Sequence, residues 1–250
     1  MDKQSRIDIQ DDTLDYVRKN KEMRYNTFFE KFKEILNVPG HSPDNKNAQI
    51  FVVKMDTLNA VIHFQEIYKK RFCALVMANA FNKGGGYLRG ASAQEESVCR
   101  RTNLPRAFQL IRYPLPEFGG IYCSAMYIIK DVESTNCEYL EEQHRCDAIL
   151  IAAYSRPPLN DLGQIRDDFA EKTKKKMRSL FNKCIEKEMY NVVLGALGCG
   201  AFQNPPEHIV QLFKEVIFDE GYNKKMDNIV FAIIDNQYTN NYETFASAFE

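Results

Sequence analysis

Residues 72–97 read FCALVMANAFNKGGGYLRGASAQEES. The segment opens with seven apolar residues, 72–78, which predict a short buried strand. A loop with three consecutive glycines (84–86) follows, and a Gln-Glu-Glu triplet (94–96) comes seven residues later. Glycine lets the backbone approach a ligand closely and adopt a positive φ. Because ligands of α/β sheets bind beyond the carboxyl ends of strands, this loop is a candidate ligand site.

The rest of the chain predicts buried strands that alternate with helices. Helical patterns cover residues 13–36, with Phe28, Phe32 and Ile35 on one face, and 162–189. Asp56 is predicted to cap a helix that turns Leu58, Val61, Ile62 and Ile67 towards the core. The apolar segments 50–53, 121–129, 148–154, 191–197 and 228–235 predict further strands, and 37–47 a loop. Together they predict an α/β layered fold with a largely parallel or mixed sheet.

Composition places the chain among ordinary globular proteins. It has 250 residues, 44% hydrophobic and 27% charged, which suits a single domain without stapling disulfides. Lys plus Arg (33) nearly balances Asp plus Glu (34), so any polyanionic ligand must be held by a local site. The seven cysteines form no CxxC pair, which is typical of reduced thiols.

The sequence predicts neither a secretory signal peptide nor a membrane span. The N-terminal residues MDKQSRIDIQDD lack the apolar core of a signal peptide. The apolar run AILIAA (148–153) is far shorter than the roughly 18 residues of a membrane span. We expect an intracellular protein, cytoplasmic or nuclear, with no membrane partner.

A second glycine-rich segment, GALGCGAFQNPPEH (195–208), follows a predicted strand. Gly198 and Gly200 would let backbone N–H groups turn towards a phosphate, and Asn204-Pro205 predicts a helix start. A backbone nest beside a helix N-terminus is an anion site. A tight strand-to-helix turn without a ligand is the alternative, and it stays open here. Neither glycine loop matches the P-loop or the dinucleotide fingerprint.

The two adjacent glutamates differ in their structural explanations. Ser92 to Glu95 reads as a capping box for the helix that follows, which favours a structural role for Glu95. Glu96 has no such explanation, and it lies at a helix start beside the glycine loop. Two close carboxylates in different environments let one acid stay protonated near neutral pH. Glycoside hydrolysis needs an acid of that kind to protonate a leaving oxygen or to activate water.

The lysine run KTKKK (172–176) lies in the long predicted helix. We interpret it as a solvated helix face, with a phosphate-binding patch as the alternative. The four histidines, His41, His63, His144 and His208, show no metal-ligand spacing, and we expect neither a metal nor a cofactor.

Three glycines, seven residues and then QEE resemble the signature of poly(ADP-ribose) glycohydrolases, within the macrodomain superfamily. GALGCGAFQNPP resembles the second phosphate loop of the microbial-type branch. AQEESVCRRTNL (93–104), IAAYSRPP (151–158) and VFAIID (230–235) also fit that family's order. The resemblance therefore spans roughly residue 13 to the C-terminus. Two departures concern Lys83, where microbial members often have proline, and YCSAMYIIKD (122–131), where a YSP-like segment is expected.

The resemblance implies a three-layer α/β/α macrodomain-like sandwich with a mixed central sheet, in one domain (1–250) with an N-terminal helical extension (about 1–48). Glu96 would be the catalytic acid and base, and Glu95 would hold ribose hydroxyls. Asn79 or Asn82 would contact the distal ribose, and Phe202 would pack against the ribose. The two loops would enclose the diphosphate from opposite sides. The implied ligand-binding residues are Asn79, Asn82, Gly84, Gly85, Gly86, Gln94, Gly198, Cys199, Gly200, Ala201 and Phe202.

The expected activity is hydrolysis of ribose–ribose bonds in poly(ADP-ribose), with ADP-ribose as the product. The partners would be the polymer or an ADP-ribosylated protein, with no direct DNA binding, and a monomer is expected. Two alternatives remain: a reader that binds ADP-ribose without cleaving it, and a hydrolase of mono-ADP-ribosylated protein. The presence of both glutamates argues against a reader, which needs no acid.

Overall fold

The structure is a computed structural model that describes residues 1–36, 38 and 47–250. The predicted loop 37–47 therefore lies outside the described residues apart from Val38 and Asn47. Within the described ranges, no helix combines the length and apolar character needed to cross a membrane.

The strands of the described residues form one sheet. They are β1 (Phe28–Phe32), β2 (Gln49–Val53), β3 (Cys73–Met77), β4 (Gly120–Lys130), β5 (Tyr139–Ile151), β6 (Asn191–Leu194) and β7 (Asn228–Ala232). Across the described chain they make a seven-stranded sheet in the order β1-β4-β5-β3-β6-β7-β2. β1, β4 and β5 pair antiparallel, whereas β5, β3, β6, β7 and β2 run parallel. The predicted mixed sheet is confirmed.

Helices cover both faces of this sheet. They are α1 (Lys3–Lys19), α2 (Lys21–Tyr25), α3 (Thr57–Tyr68), α4 (Gln94–Arg101), α5 (Ala107–Leu110), α6 (Asp167–Glu186), α7 (Pro206–Lys214) and α8 (Asn241–Phe249). Alternate residues of β3 enter opposite cores: Ala74 and Val76 pack with α3, α4 and α5, and Cys73 and Leu75 pack with α6, α7 and α8. Strands buried on both faces read as continuous apolar runs, as observed. The three-layer α/β/α architecture is confirmed.

The prediction of a single helix over residues 13–36 is wrong beyond Tyr25. α1 ends at Lys19, Asn20 caps the short α2, and β1 then pairs antiparallel with β4. Phe28 is 69% exposed, whereas Phe32 is buried. Apolar residues four apart lie on the same face of a helix and also on the same face of a strand, so their spacing does not separate the two. The N-terminal extension thus adds an edge strand as well as helices; its limits as a domain feature stay a prediction.

Two other helices differ from prediction in part. Asp56 caps α3 as predicted, with Oδ1 accepting the N–H of Leu58 at 2.8 Å, but Ile67 is exposed rather than directed to the core. α6 begins at Asp167, not at Leu162, which is 82% exposed. Residues 159–165 form a turn closed by a bridge between Leu159 and Ile165, which removes the backbone partners that a helix would need.

Candidate active site

The candidate site lies where β3 and β6 separate. These parallel strands pair over Cys73↔Val192 and Ala74↔Val193. Beyond that point the two strands are no longer paired, and we call the space between them the fork. The side chain of Gln94 lies in it: its Oε1 accepts the N–H of Met77 at 2.9 Å, and its Nε2 donates to Leu75 O at 2.8 Å. Gln94 therefore replaces a strand partner and fixes the start of α4 against the carboxyl end of β3. It lies beneath the site and satisfies backbone groups there.

Glu95 and Glu96 form the chemical centre of this fork, and both are buried, at 4% and 6% exposure. Glu95 Oε2 accepts the N–H of Asn79 at 2.8 Å, and Glu96 Oε1 accepts the N–H of Gly86 at 2.7 Å. Within the described residues, Glu95 Oε1 and Glu96 Oε2 have no hydrogen-bond partner. Each carboxylate is thus fixed through one oxygen, and its other oxygen has no hydrogen-bond partner among the described residues.

The predicted capping box is wrong. α4 begins at Gln94, its N-cap residue is Ala93, and no side-chain capping bond forms there. The Glu95 carboxylate bonds instead to the backbone of Asn79, which the fold places beside it. A capping glutamate accepts a backbone N–H at the start of its own helix, whereas the Glu95 carboxylate accepts one from another segment. This removes the structural explanation for Glu95 that its spacing from Ser92 suggested.

Gly85 lies against both carboxylates. A Cβ atom at this position would overlap Glu96 Oε1 and lie 3.1 Å from Glu95 Oε2. Its φ of +58° also falls in the left-handed region, which favours glycine. The middle glycine of the triplet is therefore required by the close approach of the two acids as well as by the turn.

The environment of Glu95 keeps its proton at neutral pH. Burial is the largest cause and, together with the neighbouring Glu96 charge, raises the pKa of Glu95 to about 8 against the lowering effect of the Asn79 N–H. The sequence predicted that the pair would contain one protonated acid, with Glu96 as the candidate. The raised pKa is that of Glu95, where desolvation by burial is the largest cause.

Asn79 and Asn82 occupy different positions in the first loop. Asn79 is half-buried, and its Oδ1 accepts the N–H groups of Phe81 at 2.9 Å and Asn82 at 2.8 Å. This Asx turn shapes the loop ahead of the glycines. Asn82 is exposed and contributes its backbone to the turn, including a carbonyl that accepts the Gly85 N–H at 3.0 Å. Only Asn79 is also joined to Glu95.

The second loop presents free donors. The consecutive N–H groups of Gly200, Ala201 and Phe202 have no acceptor among the described residues. Gly198 has a φ of +79°, and a Cβ there would lie 2.6 Å from Asn204 Nδ2. Cys199 is buried, and burial raises the pKa of its thiol, so it is an unreactive packing residue. Three adjacent unpaired N–H groups form a nest that suits an anion.

Asn204 does not cap a helix, contrary to the prediction. α7 begins one residue later than predicted, at Pro206, with Pro205 at the N-cap position. The Asn204 Nδ2 donates to the carbonyls of Tyr154, Gly198 and Phe202 at 2.8, 3.1 and 3.3 Å. Asn204 thus ties the second loop to the segment after β5, a role that depends on the distant carbonyl of Tyr154 and that a local pattern does not reveal.

Tyr113 is a residue that the sequence analysis missed. Its ring lies 6.2 Å from that of Phe108, whose Cε2 a Cβ on Gly84 would approach to 2.6 Å. The Tyr113 hydroxyl is buried without a partner in the described structure. Burial raises its pKa, and the charge of Glu95 raises it further. No local motif marks this tyrosine, because it reaches the first loop from a separate connection.

The described residues contain no group of three or more His, Cys, Asp or Glu side chains arranged to hold a metal ion. The seven cysteines are all buried and unpaired.

Comparison with known proteins agrees with this geometry. Residues 1–113, which include the first loop and both glutamates, match the family model described as the microbial-type PARG (poly(ADP-ribose) glycohydrolase) catalytic domain. The predicted resemblance to this family is confirmed. No curated protein matches the chain at a significant level.

Solved bacterial PARG structures share the fold over nearly the whole chain. The enzyme from Thermomonospora curvata aligns with a TM-score of 0.83 and 22% identity, over 98% of this chain and 99% of that one. Its complex with the inhibitor ADP-HPD gives 0.80 and 21% identity over the same shares of the two chains. The enzyme from Deinococcus radiodurans in complex with ADP-ribose gives 0.68 and 21%, over 91% of this chain and 96% of that one. At this identity the likeness establishes the three-layer fold of the PARG structures.

Proposed function

We propose that this chain is a poly(ADP-ribose) glycohydrolase that cleaves ribose–ribose O-glycosidic bonds and releases ADP-ribose. One observation carries the proposal: two buried carboxylates flank Gly85, and each has one oxygen fixed by a backbone N–H and one without a partner. Burying an acid without satisfying it costs stability, so such atoms are expected at a site of chemistry. A pure reader of ADP-ribose would need neither.

Glu96 is the catalytic residue of this proposal. Its unpartnered Oε2 donates a proton to the departing ribose oxygen as the glycosidic bond breaks, and the resulting carboxylate then takes a proton from the attacking water. Gly86 holds Oε1 through its N–H, which fixes the direction of Oε2. Proton transfer of this kind contributes typically 10²–10⁴-fold to the rate. Water adds to the anomeric carbon, so the products are ADP-ribose and the shortened polymer.

Glu95 has the supporting role. Because its pKa is raised to about 8, it is protonated at neutral pH and can donate from its carboxyl group to a ribose oxygen. Asn79 lies beside it and has its amide nitrogen left for the distal ribose, since its Oδ1 is engaged in the loop. We therefore assign the ribose contact to Asn79 rather than to Asn82.

The two loops hold the diphosphate in different ways. Gly200, Ala201 and Phe202 donate their free N–H groups to it, and the Phe202 ring packs on the ribose. Gly85 and Gly86 already donate to Asn82 O and Glu96 Oε1. The first loop accordingly contributes close packing against the diphosphate, with fewer hydrogen bonds.

The experiment is product analysis with automodified poly(ADP-ribose) polymerase as substrate, with and without a chelator. Release of free ADP-ribose at the same rate in both samples is expected, because the proposal uses no metal or other cofactor. Binding of ADP-ribose without release would favour the reader, and activity that requires an added divalent ion would contradict the mechanism. The protein acts as a monomer within the cell on this proposal, in the cytoplasm or the nucleus.

A further inference from the structure

The lysine run of α6 does not form the solvated face that its sequence suggested. Lys176 is buried, at 5% exposure, and Lys172 and Lys175 are half-buried. Lysine is rarely buried, because its ammonium loses solvation, so the packing of three lysines in one stretch needs a structural cause. The solvated-face interpretation is therefore wrong for Lys176.

These lysines lie on aromatic rings. Lys172 Nζ is 4.9 Å from the ring centroid of Phe169, and Lys175 Nζ is 5.3 Å from that of Phe118. Lys176 Nζ is 4.4 Å from the Tyr154 centroid. The rings of Tyr154 and Phe169 meet edge to face at 5.1 Å. We call this set the lysine–aromatic patch: Phe118, Tyr154, Phe169, Lys172, Lys175 and Lys176.

The positive charge of the patch is left largely uncompensated. Lys174, in the same run, forms ion pairs with Glu171 at 3.2 Å and Glu215 at 3.0 Å. By contrast, no described carboxylate lies within ion-pair distance of Lys172 or Lys175, which are held against rings alone.

The acid nearest to the patch is already engaged. Glu117 Oε1 accepts the hydroxyl of Tyr154 at 2.6 Å, and its backbone carbonyl accepts a hydrogen bond from Lys176. Lys176 is thereby fixed between the rings, and burial lowers its pKa to about 8. Lys176 is thus a positioning residue for the rings, and Lys172 and Lys175 are the cations that remain for a ligand.

The patch adjoins both loops of the candidate site. The carbonyl of Tyr154 accepts the Asn204 side chain, which also bonds to Phe202. The exposed Arg156 donates its N–H to Phe202 O at 2.8 Å. The connection that carries Phe118 is joined to the first loop, since Leu115 N–H donates to Ala80 O at 2.8 Å. A ligand that leaves the cleft beside Phe202 would meet the patch next.

We propose that the lysine–aromatic patch binds the part of a poly(ADP-ribose) chain that extends beyond the unit in the cleft. Its lysines neutralise polymer phosphates, and its rings stack on adenine bases, the combination by which proteins hold single-stranded nucleic acids. This inference rests on the proposed function, and it adds a second subsite outside the cleft.

The test measures binding in the Glu96→Gln background, with ADP-ribose and with a polymer of defined length above ten units as the probes. The double variant K172Q/K175Q should bind the polymer about 5–20-fold more weakly and ADP-ribose unchanged. For single-stranded polyanions, each phosphate that a cation neutralises adds about 0.7 to the steepness of log affinity plotted against log salt concentration. Loss of two lysines should therefore reduce that steepness by about 1.4.

The matched control is K224Q/K225Q. Lys225 Nζ also lies on a ring, 4.7 Å from the Tyr222 centroid, but these lysines precede β7 and so lie at the amino end of the parallel strands, away from the carboxyl ends that carry the candidate site. This control should bind the polymer as the parent does. The charge-conserving K172R/K175R should also bind the polymer with nearly the parent's affinity. Equal losses in both glutamine variants, or an equal loss for ADP-ribose and polymer, would overturn the inference. Failure of the parent to bind ADP-ribose at all would instead overturn the proposed function.

Discussion

Glu96 and Gly86 are joined by a hydrogen bond of 2.7 Å from the glycine N–H to the carboxylate Oε1. The glycine triplet therefore holds the acid directly, in addition to shaping the cleft. This relationship explains why the glycine triplet and the Gln-Glu-Glu triplet occur in one connection, seven residues apart. The loop can set the direction of Oε2 only if its backbone reaches the carboxylate, and Gly85 gives it that access.

Glu96→Gln separates this structural role from the chemical one. The amide oxygen of glutamine can still accept the Gly86 N–H, so the free energy of unfolding should stay within about 1 kcal/mol of wild type. The amide cannot donate or accept the catalytic proton, so turnover should fall by at least ~10² while ADP-ribose affinity stays within several-fold. Turnover by product release and affinity by calorimetry test this.

Glu96→Ala provides the comparison, because alanine leaves the Gly86 N–H without its acceptor. A loss of about 1–3 kcal/mol in unfolding free energy is expected for the alanine variant alone. A Glu96→Gln protein that releases ADP-ribose at nearly the wild-type rate would end the assignment of Glu96 as the acid.

The raised pKa of Glu95 predicts a pH-dependent stability. The folded protein binds the Glu95 proton up to a pKa of about 8, whereas an unfolded glutamate releases it near 4.5. This contribution to stability is complete below about pH 4.5 and is lost as the pH rises through 8. Since a tenfold change in proton affinity is worth about 1.4 kcal/mol and the two pKa values differ by about 3.5, the loss should be on the order of 5 kcal/mol.

Chemical denaturation of wild type and Glu95→Gln at several pH values measures this effect. Glutamine mimics the protonated acid, so the difference in stability between the two proteins should move in favour of the variant from pH 5 to pH 9. Groups that do not interact with Glu95 titrate equally in both proteins and cancel. A difference that stays constant with pH would mean that Glu95 is ionised in the folded protein.

Gly198 and Gly200 form an internal control within the second loop. An alanine at Gly198 meets Asn204 Nδ2 at 2.6 Å and requires a φ of +79°, whereas a Cβ on Gly200 enters open space. A left-handed conformation costs a non-glycine residue roughly 1–2 kcal/mol. Gly198→Ala should therefore lower both the melting temperature and ADP-ribose affinity, whereas Gly200→Ala should leave the melting temperature unchanged. An ADP-ribose affinity of Gly198→Ala equal to that of wild type by calorimetry would place the diphosphate elsewhere.

Local patterns predicted those parts of the fold that local interactions decide. The Asp56 cap of α3 and the strand Cys73–Met77 were both found where the sequence placed them. β1 was read as helix because its strand character depends on β4, which begins nearly ninety residues further along the chain. A pattern of apolar residues cannot report a partner that distant.

The errors at the candidate site have the same physical origin. Glu95 and Asn204 both occur in sequence contexts typical of helix caps, yet their side chains bond to the backbone of other segments. A short polar side chain takes whichever backbone partner the fold brings near, and the sequence shows only the local ones. The proximity of the glycine triplet to the two glutamates was predictable, because a single connection carries both.

A variant of Gln94 tests whether its hydrogen bonds in the fork between β3 and β6 are needed for turnover. Its side chain satisfies the Met77 N–H and the Leu75 carbonyl, and β3 leads directly to Asn79, which holds Glu95. Gln94→Met keeps the volume but leaves both backbone groups unpaired, which should cost about 1–3 kcal/mol for each buried group. Turnover should also fall, because the Glu95 carboxyl group would lose its fixed position.

The matched control is Gln65→Met. Gln65 bonds to the carbonyl of Arg145 at 3.1 Å in an exposed position on α3, so its loss should cost less than about 0.5 kcal/mol. Urea denaturation gives the stabilities, and product release at saturating substrate gives the turnover. If Gln94→Met lost stability but kept wild-type turnover, the fork would be a structural feature alone, and the position of Glu95 would be set entirely by the first loop.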